Sequence, residues 1–92
     1  MIKSFKHKGL KKYFYYGDIS GIQAEHRDKI RLILSTIDSA KTIQALDVPM
    51  FKLHKLKGNL SEHYSMRVNG NWRITFKFEN GDAYILDYQD YH

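Results

Sequence analysis

With 92 residues, a net charge of +5 and no cysteine, the chain has room for one core but not for a disulfide framework, a thiolate zinc site or a cysteine nucleophile. Its 42% hydrophobic and 14% aromatic residues suffice for independent folding, so residues 1–92 are read as a single domain. The opening, MIKSFKHKGLKK, has no apolar run for a signal peptide or a membrane span, and a cytoplasmic protein is expected.

The charge is segregated. Residues 1–16 hold five lysines and no acid, and residues 52–77 hold six Lys or Arg against Glu62 alone. From Phe78 onward the sign reverses, with Glu79, Asp82, Asp87 and Asp90 and no Lys or Arg. Two basic segments followed by an acidic tail point to a polyanion partner.

In chain order, residues 1–5 read as a short edge strand. Leu10, Tyr13 and Phe14 then recur at helical spacing until Gly17 ends the turn. Lys6, Lys8, Lys11 and Lys12 stand around the exposed side of this helix, where they serve either solubility or phosphate binding. Tyr13, Phe14, Tyr15 and Tyr16 read as core and rim. Ser20-Gly21-Ile22-Gln23 has the form of a capping box, so a long helix is expected to begin there. Ile30, Ile33, Leu34 and Ile37 give it an apolar stripe that Ala40 continues. Glu25 and Asp28 suit its early turns, and His26 reads as a half-buried histidine on the apolar side. A short helical turn at 42–46 ends before Pro49, whose effect on the preceding residue predicts extended chain into a sheet.

Residues 51–78 organise the molecule, because they read as three consecutive strands. Tyr64, Met66 and Val68 alternate with Ser65 and Arg67, and Trp72, Ile74, Phe76 and Phe78 alternate with Arg73, Thr75 and Lys77. Asn69-Gly70-Asn71 between them predicts a tight hairpin, and Asn80-Gly81 a second one leading into a last strand. In that strand Tyr84, Leu86 and Tyr88 are expected on one face and Ala83, Ile85 and Asp87 on the other.

No phosphate-loop, dinucleotide, zinc or serine-hydrolase pattern is present, and the scattered histidines have no metal-ligand spacing; neither metal nor cofactor is expected. What remains is His54 and Lys57 on and after the first sheet strand, Arg67 and Arg73 on polar strand faces, and Asp90, Tyr91 and His92 after the last strand. Convergence of these on one concave surface would suit RNA cleavage by the ribose 2′-hydroxyl. That reaction needs a base, cations for the phosphate, and an acid for the departing oxygen. Tyr91 suits nucleotide stacking. By spacing alone, a polar sheet face with charged residues is more often simply solvated.

Leu53-His54-Lys55-Leu56-Lys57-Gly58, Ser65-Met66-Arg67-Val68, Asn71-Trp72-Arg73-Ile74-Thr75-Phe76, Asn80-Gly81-Asp82-Ala83-Tyr84 and Asp90-Tyr91-His92 together resemble the HigB branch of the RelE/ParE toxin superfamily, and the resemblance spans the whole chain. It implies an α+β fold, with an N-terminal strand and two to three helices on a small antiparallel sheet. It also implies metal-independent cleavage of messenger RNA in the ribosomal A site. The partners it implies are the 70S ribosome with its mRNA, a HigA-like helix-turn-helix antitoxin, and operator DNA bound by the toxin–antitoxin pair, with no membrane. By position, His54, Asp90, Tyr91 and His92 become the catalytic set, with Lys57, Arg73 and Arg67 at the phosphate and Lys6, Lys8, Lys11 and Lys12 on ribosomal RNA. Two departures stand out: Lys55 occupies a position that is often proline in this branch, and Ser65 one where other superfamily members carry an arginine. Two other functions fit parts of the pattern: a non-catalytic gyrase inhibitor of the ParE type, and a plain RNA-binding module.

Overall fold

The computed structural model describes residues 1–58 and 62–90. Helix α1 (Lys8–Tyr16) starts where the Nδ1 of His7 accepts the Leu10 N–H, and it stops at Gly17, whose φ of 71° closes the turn on the Lys12 and Tyr13 carbonyls. Helix α2 (Arg27–Ser39) buries Ile30, Ile33, Leu34 and Ile37, the apolar stripe that its 3.6-residue period dictates. Strands β1 (His54–Lys55), β2 (His63–Asn69), β3 (Trp72–Glu79) and β4 (Asp82–Asp90) form an antiparallel sheet in the order β1-β2-β3-β4. The helical stripe meets Met66, Ile74, Phe76, Leu86 and Tyr88 in one core. Each fully buried aliphatic or Phe side chain there contributes roughly 1.5–3 kcal/mol.

The helix expected from Ser20 begins later. Ser20 is no cap; its N–H donates to Asp18 Oδ1 at 2.9 Å, and a 3-10 turn at Ala24–His26 leads into α2. The reason lies far off in sequence. A Cβ on Gly9 would stand 2.4 Å from the Gly21 carbonyl oxygen, so residues around Gly21 cross the start of α1 as loop rather than helix. His26 is not half-buried but 3% exposed. The turn expected at 42–46 forms as Ile43–Leu46, capped by the Thr42 hydroxyl. Val48 is extended, as a residue before proline should be, but Pro49–Phe51 then makes another 3-10 turn. The first strand is accordingly two residues long and starts at His54.

The N-terminal residues run parallel to β4 through isolated bridges, Ile2 with Ala83 and Phe5 with Leu86. Asp38 Oδ1 at the end of α2 holds the Ile2 N–H at 2.9 Å. Both hairpins have two-residue loops. Asn80-Gly81 has positive φ at both residues, the mirror-image turn expected. In the other hairpin the loop is Gly70-Asn71, not Asn69-Gly70, because a bulge between Arg67 and Asn69 shifts the register by one residue. A second bulge lies in β4 opposite Phe76, where Ile85 adopts a φ of 50°. It flips the strand's phase: Ala83 is buried with Leu86 and Tyr88, against the uninterrupted alternation expected. Among the aromatics of α1, Tyr13 is buried, but Tyr15 and Tyr16 are 53% and 83% exposed, beyond the rim positions expected. Among the described residues, no helix is long and apolar enough to cross a membrane.

Candidate active site

His54 pairs with Ser65 and Arg67 with Arg73, and strand alternation sends these side chains to the face away from the helices. There Lys52, His54, Leu56, Ser65, Arg67 and Arg73 line a cleft of about 290 Å³. The imidazole Nδ1 of His54 lies 2.9 Å from the Lys52 carbonyl oxygen. A carbonyl only accepts, so Nδ1 carries the hydrogen and the neutral ring keeps its lone pair on Nε2. Lys52 itself adopts a φ of 50°, the bend that brings its carbonyl back to the ring two residues later.

The Nη1 of Arg73 donates to the Gly70 carbonyl at 3.0 Å and to that of Trp72 at 3.3 Å. The hairpin therefore fixes the guanidinium, which has five N–H donors in all, and leaves Nε and Nη2 donors for an anion. Burial, together with repulsion from Arg67 and Lys52, lowers the Lys29 ammonium below its ordinary pKa. That places α2's Lys29 in the same positive field. Among the described residues, no carboxylate pairs with Lys29, Lys52, Arg67 or Arg73. Lys77, by contrast, is neutralised by Glu62 at 3.2 Å and Glu79 at 3.5 Å, which raise its pKa. Positive charge with no carboxylate partner among the described residues therefore lines this cleft.

Of the residues expected to converge, His54, Arg67 and Arg73 share the cleft. Lys57 is exposed just beyond β1 and does not line it. Asp90 ends β4 in register with Trp72, one residue past Gln89, the partner of Arg73. It lines a different cleft, with His7, Gln23, Trp72 and Tyr88. Tyr91 and His92 lie outside the described residues. Lys8, Lys11 and Lys12 are exposed on α1, and Lys6 faces Asp87 at 3.9 Å.

Sequence reasoning gave no site role to Lys52 or Lys29. The position of Lys52, two residues before His54 on the same strand approach, was a usable signal; Lys29 enters only through helix packing. Among the described residues, no group of three or more His, Asp or Glu side chains is placed to hold a metal ion.

A family model for HigB, a RelE-like toxin of type II toxin–antitoxin systems, matches residues 3–92. The chain belongs to the HigB-like toxin family. It is 54% identical to "Endoribonuclease HigB" from Proteus vulgaris over 92 residues, covering all of both chains. Among solved structures, it superposes on a chain of the heterotetrameric YoeB–YefM toxin–antitoxin complex from Staphylococcus aureus with a TM-score of 0.64 and 23% identity, over 100% of this chain and 95% of that one. The YoeB dimer from the same organism gives 0.62 and 22%, over 99% and 94%. These two likenesses establish the RelE-like α+β fold. The HigB-like family membership, carried by sequence over nearly the whole length, places the chain among the toxins of toxin–antitoxin systems.

Proposed function

We propose that this HigB-like toxin is an endoribonuclease that cleaves messenger RNA in the ribosomal A site without a metal ion. The observation that carries the reading is the cleft in which His54, held through Nδ1, stands among Lys52, Arg67 and Arg73 with no carboxylate from the described residues to neutralise them. The 54% identity to an endoribonuclease over the full chain supports it.

In the proposed reaction, Nε2 of His54 takes the proton of the ribose 2′-hydroxyl. The 2′-oxygen forms its bond to phosphorus, and the bond to the 5′-oxygen breaks. Arg73, Arg67 and Lys52 hold the phosphate oxygens while charge develops on them, and Lys57 supplies further positive charge at the entrance. The departing 5′-oxygen receives its proton from the terminal Asp90-Tyr91-His92 segment, with the His92 imidazole as donor, Asp90 holding its tautomer and Tyr91 stacking on the nucleotide. The products are a 2′,3′-cyclic phosphate and a 5′-hydroxyl.

Lys6, Lys8, Lys11 and Lys12 contact ribosomal RNA in this reading, which places the toxin in the cytoplasm. Its neutralising partner is a HigA-like helix-turn-helix antitoxin, and the pair binds operator DNA. The test is His54→Ala assayed on translating ribosomes. Cleavage is expected to fall by about 10²–10⁴, the range for loss of a general base, while antitoxin binding persists. Unchanged cleavage by a folded variant would sink the assignment.

A further inference from the structure

The floor of the cationic cleft holds a hydroxyl to which the proposed reaction gives no task. Ser65 lines the cleft with His54, Arg67 and Arg73, and it is the cross-strand partner of His54 on one side and of Thr75 on the other. We propose that Ser65 is a further catalytic residue, whose O–H donates a hydrogen bond to one non-bridging oxygen of the scissile phosphate; the proposal rests on the reading of this cleft as a ribonuclease site.

The burial of this hydroxyl comes first. Met66 and Ile74 point into the core, so their strand neighbours Ser65 and Thr75 point to the opposite face. Both are nonetheless only 6% exposed. Their partners differ. Thr75 Oγ1 accepts a hydrogen from Gln89 Nε2 at 3.2 Å, whereas no described residue hydrogen-bonds Ser65 Oγ. That oxygen is not sealed off either, since the fully buried side-chain polar atom without a partner among the described residues is His63 Nδ1. Polar groups at such low exposure are normally hydrogen-bonded, and a serine hydroxyl has one donor and two acceptor sites to fill. The partner of Ser65 is therefore something that enters the cleft.

Position identifies the group it meets. Along β2, Ser65 stands two residues from Arg67 on the same face, about 6–7 Å at the rise of a strand, and Arg67 pairs across the strands with Arg73. On the other side is His54, whose Nδ1 is held by the Lys52 carbonyl and whose Nε2 faces the reaction. Ser65 thus lies between the base that takes the 2′-hydroxyl proton and the cations that hold the phosphate. A phosphorus forming its bond to that 2′-oxygen comes to rest above it. Serine suits the place, because its short side chain leaves room for the phosphate and its O–H adds a donor without adding repulsion among Lys52, Arg67 and Arg73. The hydroxyl keeps its proton throughout. Its hydrogen bond strengthens as charge grows on the phosphoryl oxygen, which is when a fixed donor contributes to rate.

The test is single-turnover cleavage on translating ribosomes, using mRNA with sulfur in place of one or the other non-bridging oxygen at the scissile phosphate. Sulfur is a weak hydrogen-bond acceptor. Ser65→Ala, which removes one oxygen and introduces no clash, is expected to slow cleavage of all-oxygen mRNA by about 10–100-fold, at or below the range for loss of one oxyanion donor. Sulfur at the oxygen facing Ser65 slows the wild-type toxin by a factor that shrinks about tenfold in Ser65→Ala, while the effect of sulfur at the other oxygen is the same in both proteins. Each sulfur effect is a ratio within one protein, so partial unfolding of the variant does not imitate the result. Full activity of Ser65→Ala, or a slowed variant whose two sulfur effects match those of the wild type, overturns the contact while the nuclease reading stands. Wild-type toxin that leaves the mRNA intact counts against the nuclease reading itself, and the role of Ser65 falls with it.

Discussion

At the scale of single residues, His54 has its proton placement set by a backbone carbonyl rather than by a carboxylate. The Lys52 oxygen at 2.9 Å fixes the ring without placing a negative charge where a phosphate must bind. Lys29 reports the same positive field from the helix side. Because its folded pKa is lowered, the unfolded chain binds more protons between the folded and unfolded values. Stability therefore rises with pH across that window and levels off above the unfolded value, roughly 10.4 for a lysine. RNA in the cleft neutralises Arg67 and Lys52, so binding is expected to raise the Lys29 pKa and to take up a proton in the alkaline range. An NMR titration of the Lys29 side chain with and without a short RNA checks this; a pKa that stays put or falls on binding places the phosphate elsewhere.

At the scale of elements, the bulge in β4 joins the N-terminal segment to the sheet. The Ile85 N–H donates to the Ser4 hydroxyl at 2.8 Å, and that of Leu86 to the Ser4 carbonyl at 3.2 Å. The geometry puts a β-branched residue at a φ of 50°, a conformation disfavoured by roughly 1–2 kcal/mol. Ile85 is 42% exposed and loses little by becoming polar. Ile85→Asn is therefore expected to stabilise the fold by about 1 kcal/mol, because asparagine tolerates this region; a lower urea midpoint would show that the side chain's apolar contacts outweigh the strain. The bulge also shows what the sequence can reveal. The Ile30-Ile33-Leu34-Ile37 stripe, the alternation of β3 and the Asn80-Gly81 turn are local signals, and each was legible. The phase of β4 was not, since it depends on Ser4, far away in the chain. The start of α2 was misread for a similar reason: the capping pattern at Ser20 is local, but the contact of Gly9 with Gly21 that keeps the segment out of a helix is not.

At the scale of the whole molecule, the sheet separates two tasks. One face builds the core with α1 and α2, and the other gathers His54, Arg67 and Arg73, a grouping that strand alternation alone made readable. Lys52 was legible only through its position two residues before His54, because the 3-10 turn at Pro49–Phe51 that leads it to the cleft carries no such local signal. Asp87 and Glu79, acids of the tail, face Lys6 and Lys77 and so leave the positive charge of the cleft in place. The measurement that bears most directly on this account is to incubate the toxin with a defined mRNA, free or on translating ribosomes, and map both the position and the chemistry of the new ends. Cuts are expected within the A-site codon, only on ribosomes, with 5′-hydroxyl and 2′,3′-cyclic phosphate ends. Ends bearing 5′-phosphate, or intact RNA accompanied by altered DNA supercoiling, would contradict it.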